Sequence, residues 1–454
     1  MSDTVSRERV RLPAPLLKRR LPSGRGATEQ PNVTSDEHAA LTPVFWLLLI
    51  ATGVATGLLG DAMMMLLNAV EQLAFGYRSG SLEHAIAQLP VLRRVGALLA
   101  GGAFGGVAWY LLRTRTKGEH SDLDESVWTR NGLLSPRRTI GTAVISEVVV
   151  GAGASLGREA APRLLGGLAG SLLAGWARLP VAQRRLLVAC GGGAGLAAVY
   201  NVPLGGALYV AEVLWGSVSL PVMLAALTCC WVATGTAWAY LPDHAIYAGL
   251  PDYRLSVPVM AWALLAGPVI GLAATAYIRL VGLVCHHRLT GRWSIAAVPA
   301  ACGLLGVAGI WYPQLFGNGQ DMARDAFAGA SGLGLLLVLF ALKPLVTSLC
   351  LGSGASGGLF TPTLSTGAVL GGALGLAWSL LWPGSPPGAY AFVGAAAMMG
   401  AAMQAPMTGL ALMVELSGTG FGLIVPMAAA TATATAVAYY VDGYSIYSAR
   451  LSSR

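Results

Sequence analysis

Of the 454 residues only 11% are charged while 55% are hydrophobic, 60 are glycine, and the net charge is +8. That is too little polar side chain to coat a soluble fold of this size. It argues against a soluble enzyme and against a nucleic-acid-binding protein, and for an all-α polytopic membrane protein.

The chain opens on a basic stretch, Arg7, Arg9, Arg11, Lys18, Arg19, Arg20 and Arg25, with Glu8 among them. Residues 1–43 hold no continuous apolar core, so they read as a disordered cytoplasmic tail rather than a cleaved secretory signal. Apolar segments follow at 44–70, 92–113, 139–156, 161–176, 185–199, 204–217, 220–241, 257–283, 294–312, 333–351, 363–382, 389–401, 405–416 and 423–441. Several fall short of the ~20 residues that a straight helix needs to cross a bilayer. Split by Gly, Pro or Asn, they read as broken, tilted half-helices that end inside the membrane against protein or a wet path. The polar island 113–138, with Lys117, Glu119, His120, Ser121, Asp122, Asp124 and Glu125, reads as an aqueous loop or as part of a pore mouth. The stretch 241–258, with three prolines, is the expected linker between a first repeat (44–240) and a second (259–454). The six cysteines lack metal-ligand spacing and read as small apolar side chains; no metal or cofactor is expected.

The chain copies itself. Gly153-Ala154-Ser155-Leu156-Gly157 recurs 201 residues on as Gly354-Ala355-Ser356-Gly357-Gly358. Asn201-Val202-Pro203-Leu204-Gly205-Gly206, ending at Glu212, recurs 203 residues on as Gln404-Ala405-Pro406-Met407-Thr408-Gly409, ending at Glu415. Duplicated halves with Gly- and Pro-broken apolar segments place a transport site where the repeats meet.

Glu159 stands out in Gly157-Arg158-Glu159-Ala160-Ala161-Pro162, an acid between two apolar segments. An ionisable group at membrane depth is costly and suggests function. The glycines before it and the proline after it predict a helix start, where unpaired N–H groups and a positive dipole end attract anions. A tethered carboxylate can take the anion's place and be released by protonation. The second copy, Gly357-Gly358-Leu359-Phe360-Thr361-Pro362, repeats the turn without the acid, so its Leu359 and Phe360 amides are candidates to hold a dehydrated anion. Glu212 and Glu415, matched across the repeats, read as structural caps or buried hydrogen-bond acceptors.

In this order the motifs resemble the CLC family of chloride channels and proton-coupled chloride exchangers. Gly157-Arg158-Glu159 is similar to the start of its GREGP motif, Gly357 to Pro362 to its GGxFxP motif, and Tyr447-Ser448-Ala449 to its pore tyrosine segment. Lys343, Thr347 and Gly352-Ser353-Gly354 also resemble the family, as does the segment Asn201–Glu212. The resemblance implies a CLC-type inverted repeat of two helical halves, a homodimer with one pore per subunit, and no enzymatic activity. It implies Glu159 as the gating and proton-linked glutamate. It implies an anion path along the amides near Arg158 and Ala160, the amides of Leu359 and Phe360, and the Tyr447 hydroxyl, with chloride or a similar anion and protons as the transported species. A prokaryotic plasma membrane is the expected location.

Three departures stand against the family pattern. GREGP reads GREAA; no GSGIP-like loop exists, its place falling near Gly118–Asp122 with Ser121 as the candidate for the central serine; and Val213 stands where many exchangers carry a second glutamate. These keep a passive channel and a fluoride/proton antiporter open beside a chloride/proton exchanger. A different class, an intramembrane serine hydrolase, is suggested only by the G-x-S-x-G match at Ser155.

Overall fold

The computed structural model describes residues 41–419 and 421–451. All but the last few residues of the expected 1–43 tail lie outside the described residues. Seventeen α-helices are present among them. The first nine are α1 (Pro43–Phe75), α2 (Leu82–Gln88), α3 (Val91–Arg115), α4 (Leu123–Thr129), α5 (Pro136–Gly151), α6 (Ala160–Trp176), α7 (Val181–Tyr200), α8 (Pro203–Tyr209), which widens into a π turn over Val210–Trp215, and α9 (Leu220–Ala237). The remainder are α10 (Val257–His286), α11 (Ser294–Trp311), α12 (Gln320–Ala328), α13 (Leu333–Gly352), α14 (Phe360–Ser379), α15 (Pro387–Met403), α16 (Pro406–Ser417) and α17 (Ile424–Val441). Seven helical stretches are long and apolar enough to span a bilayer, so the chain is a multi-pass integral membrane protein.

Local sequence sets the boundaries. Proline opens α1, α5, α8, α15 and α16, where its missing N–H costs nothing. Thr42 and Ser256 cap α1 and α10, accepting from the Phe45 and Val259 amides at 3.2 and 3.3 Å. The apolar segments read from sequence match the long helices. Several boundaries shift by three to five residues, as at α1, which runs to Phe75; the segment 139–156 is helical only to Gly151, because the Gly153 backbone turns left-handed (φ 104°) and ends the helix. The polar island is also not simply an aqueous loop. It folds in part into α4, with Leu123, Asp124, Ser126, Val127 and Trp128 buried.

The two halves are related by inversion. α6 packs on α7 as α14 packs on α15, and α1 on α9 as α10 on α17. The end of α1 and the start of α12 line one cavity, called here the outer one. The residues after α10 and the start of α4 line a second, called here the inner one. Corresponding elements of the two repeats thus point to opposite faces.

Reciprocal contacts join the halves. Glu212 accepts from the Met407 and Thr408 amides at the start of α16 (3.2 and 2.6 Å), and Glu415 accepts from the Leu204 and Gly205 amides at the start of α8 (2.9 and 2.6 Å). Each glutamate therefore caps the other repeat's helix, which bears out the structural reading of this pair. The Ser146 hydroxyl donates to the Ser356 carbonyl (2.7 Å), and the Thr347 hydroxyl meets Ser155 (3.2 Å) at the matching place. Asn201 and Gln404 both adopt left-handed backbone, φ 56° and 55°, ending α7 and α15.

Candidate functional site

The two glycine-rich turns meet at the centre. Gly153 (φ 104°) and Gly354 (φ 99°) occupy a backbone region that other residues avoid, and each turns its chain out of the preceding helix. The strands of chain that follow pair as a single antiparallel bridge. Gly157 N–H donates to the Gly358 carbonyl (2.8 Å), and Gly358 N–H to the Gly157 carbonyl (2.9 Å). From this bridge α6 and α14 depart with their N-terminal ends close together.

Glu159 caps α6 in sequence, yet its carboxylate serves the other helix. Oε1 accepts from the Phe360 amide at the first position of α14 (2.9 Å), and Oε2 accepts from the Tyr200 hydroxyl (3.0 Å). The Tyr200 hydroxyl also meets Thr361 Oγ1 at 2.6 Å. The side chain is fully buried. Space for it exists only because Gly157 and Gly358 lack side chains: a Cβ on either would collide with the carboxylate. The carboxylate thus occupies an anion's place at a helix N-terminus, where backbone donors and the dipole favour negative charge.

Each cavity reaches this barrier from one side. The outer one, of about 100 Å³, is lined by Asn68, Glu71, Glu83, Arg158 and the loop Gly317–Asp321. The inner one, of about 90 Å³, is lined by Ser121, Asp122, Asp124, Ser146, Ala160, Arg163, Gly357 and Gly358, with Arg288 and Arg450. Arg158 belongs to the outer wall and stacks over the Tyr200 ring at 5.3 Å. Ala160 and Gly358 belong to the inner wall. Glu159 lies next to both sets.

The residues singled out from sequence gather here with one exception. Arg158, Glu159, Ala160, Leu359 and Phe360 flank the barrier. Ser121 lines the inner cavity, its hydroxyl 3.4 Å from Thr142 Oγ1. Tyr447 is on neither cavity wall but adjoins the inner one: its ring covers Arg163 and packs edge-on against Tyr209, and its hydroxyl donates to the Met403 sulfur (3.8 Å). Lys343 is fully buried and ties the outer loop down by donating to the Gly317 carbonyl at 2.9 Å. Ser155 finds no base among the described residues. Its hydroxyl meets Thr347 instead, and the hydrolase reading has no catalytic pair.

Three contributors escaped the sequence reading. Tyr200 reaches Glu159 from the end of α7; its only signal was its place beside the repeated Asn-x-Pro turn. Thr361 lay inside a motif read for its amides. Arg163 is a buried cation on the first turn of α6. It pairs with Asp124 (3.3 Å), hydrogen-bonds the Tyr209 hydroxyl and lies under the Tyr209 and Tyr447 rings at 4.7 and 5.2 Å. A charge inside an apolar segment was the signal for it, as for Glu159.

Residues 101–439 match the family model described as voltage gated chloride channel. The chain is 30% identical over 443 residues to the H(+)/Cl(-) exchange transporter ClcA of Salmonella arizonae, covering 90% of this chain and 89% of that one. It is 31% identical over 383 residues to a ClcB-like protein of Ralstonia nicotianae, covering 80% of this chain and 86% of that one. Among solved structures it resembles that of a slow cyanobacterial Cl-/H+ antiporter, with a TM-score of 0.78 and 25% identity over 90% of this chain and 97% of that one.

Proposed function

The chain belongs to the voltage gated chloride channel family, and from that premise we propose that it moves chloride or a similar small anion across a membrane, in exchange for protons, with the Glu159 carboxylate as the gate. The observation that carries the reading is the bond from the Phe360 amide to Glu159 Oε1, which seats a carboxylate between two cavities at the start of α14.

In the blocked state the carboxylate takes the α14 donors. Protonation removes its charge and with it the charge-assisted part of both hydrogen bonds. The neutral side chain then leaves, and the Leu359 and Phe360 amides receive an anion. These donors carry no full charge, so the anion is bound and still able to leave. Ser121, Ala160 and Arg163 form the approach from the inner side, Arg158 that from the outer side. Tyr447 enters through its ring, as the lid over Arg163.

The inner face is the cytoplasmic one in this proposal. Arg113, Arg138 and Arg288 are electrostatic neighbours there, whereas Glu83, Asp321 and Asp325 gather at the other end. A bacterial inner membrane and a homodimer with one path per subunit complete the reading; the process is transport without chemical conversion. A passive channel is the second reading, favoured by one observation: Val213, where many exchangers carry their second glutamate, is buried and apolar. Liposomes holding the purified protein decide between them. With voltage clamped by an ionophore, a chloride gradient should drive protons uphill. Chloride efflux without proton movement would make the protein a channel, and absence of flux for chloride, nitrate and fluoride would remove the transport reading.

A further inference from the structure

α5 passes from the inner cavity to the outer one. Thr142 and Ser146, one turn apart, line the inner cavity. Val150, a turn further, lines the outer. Glu147 therefore lies on α5 at the level of the barrier. It is fully buried, and neither of its carboxylate oxygens has a hydrogen-bond partner.

The charged groups that act on it are Arg158 and Glu159, from the turn before α6, and Glu71 from α1. α3, also packed against α5, carries its charges near its ends, at Arg93, Arg94, Arg113 and Arg115. On α5 itself Arg137 and Arg138 stand in the first turn, two turns away. The fold does not require an acid at this position. The counterpart 201 residues on is Ser348, which is also buried with an unpartnered hydroxyl. A carboxylate anion without donors is costly in such a place, whereas a protonated carboxyl is tolerated.

We propose that Glu147 is a proton-carrying group of the barrier, which holds a proton and exchanges it with Glu159. The inference rests on the reading of Glu159 as the gate, and it supplies a second carboxyl that position 213 lacks. Because the two carboxyls are not hydrogen-bonded to each other in this state, the transfer needs a side-chain rotation or a bridging water; the proton then leaves a Glu147 oxygen and arrives on a Glu159 oxygen. Glu159 becomes neutral and leaves the α14 donors. Glu147 becomes an anion within the field of Arg158 until a proton returns, with Glu71, on the outer-cavity wall, as a titratable group that also acts on it.

The test is Glu147→Gln in liposomes with chloride and pH recorded on one sample. Gln matches a protonated carboxyl in shape and charge, so chloride efflux should persist. Uphill proton movement should fall on the order of a hundredfold or more, the scale of losing a positioned proton-transfer group. Glu147→Asp should restore part of it. A readout independent of transport is the infrared carbonyl region of protonated carboxylic acids, in which the wild type should show one component that E147Q lacks, while Glu83 and the other carboxyls contribute equally to both. Equal proton coupling in wild type and E147Q, or an unchanged band, overturns the inference while leaving the gate reading intact. A wild type that releases chloride without moving protons overturns the exchange reading, and this inference with it.

Discussion

Tyr200→Phe removes one donor from the Glu159 carboxylate, along with the hydroxyl's contacts to Thr361 and Arg158. The hydroxyl stands 3.0 Å from Oε2, and the ring packs against Phe360 at 5.2 Å and beneath Arg158 at 5.3 Å, contacts that phenylalanine keeps. A hydrogen bond to a charged group contributes about 1.5–3 kcal/mol, and 1.36 kcal/mol is tenfold, so the blocked state should lose roughly 10- to 150-fold in its equilibrium with the open one. The Thr361 hydroxyl, 2.6 Å from the tyrosine oxygen, is the group best placed to compensate. That favours the lower end of the range. Chloride efflux from voltage-clamped liposomes, held at a pH where the wild-type gate is mostly closed, should therefore rise about tenfold, until another step limits it. The double variant Y200F with Glu159→Gln should transport no faster than E159Q alone, because the hydroxyl acts through the carboxylate. Unchanged efflux in Y200F, or full additivity in the double variant, would refute the assignment of Tyr200 as a latch.

Glu415→Ala and Glu212→Ala should each destabilise the fold by about 1.5–3 kcal/mol, read as a lower unfolding midpoint in detergent, since each strands helix-start amides of the opposite repeat. Gln404→Val should cost about 1–2 kcal/mol, because a β-branched residue resists φ 55°, whereas Gln404→Asn should be tolerated, as Asn201 already holds the matching place. Glu83, in the short helix α2, has its carboxyl pushed up to about 7 by burial, with Asp325 and Asp321 adding to the effect. A raised carboxyl binds more protons folded than unfolded, so its penalty grows as pH rises from the ordinary carboxylate range and is complete above about 7. Glu83→Gln should thus raise stability at pH ~8 by on the order of 1 kcal/mol after solvent screening and leave it unchanged at pH ~4.

The helices and the duplication were legible because lipid forces both. Backbone groups in hydrocarbon must pair within the segment, so apolar runs and helices coincide. The helices that sequence reading passed over, α2, α4 and α12, are short, with charged residues in their first turns and no apolar run to mark them. Glu159 was legible from its place in the chain because a carboxylate in an apolar run has few innocent explanations. Its partners were not, since Tyr200 and Phe360 are 41 and 201 residues away and reach it only once the two turns pair at Gly157 and Gly358. The reciprocal capping shows the same limit. Glu212 and Glu415 could be matched as repeats, but that each caps the other's half is a property of the inverted packing.

Occupation of the anion's seat at α14 by the Glu159 carboxylate underlies the whole mechanism. It is tested most directly by chloride efflux from liposomes as a function of external pH, for wild type and Glu159→Gln side by side. Wild-type efflux should rise as the pH falls, and E159Q efflux should be high and flat across the same range. A pH dependence in E159Q equal to that of the wild type would contradict that occupation.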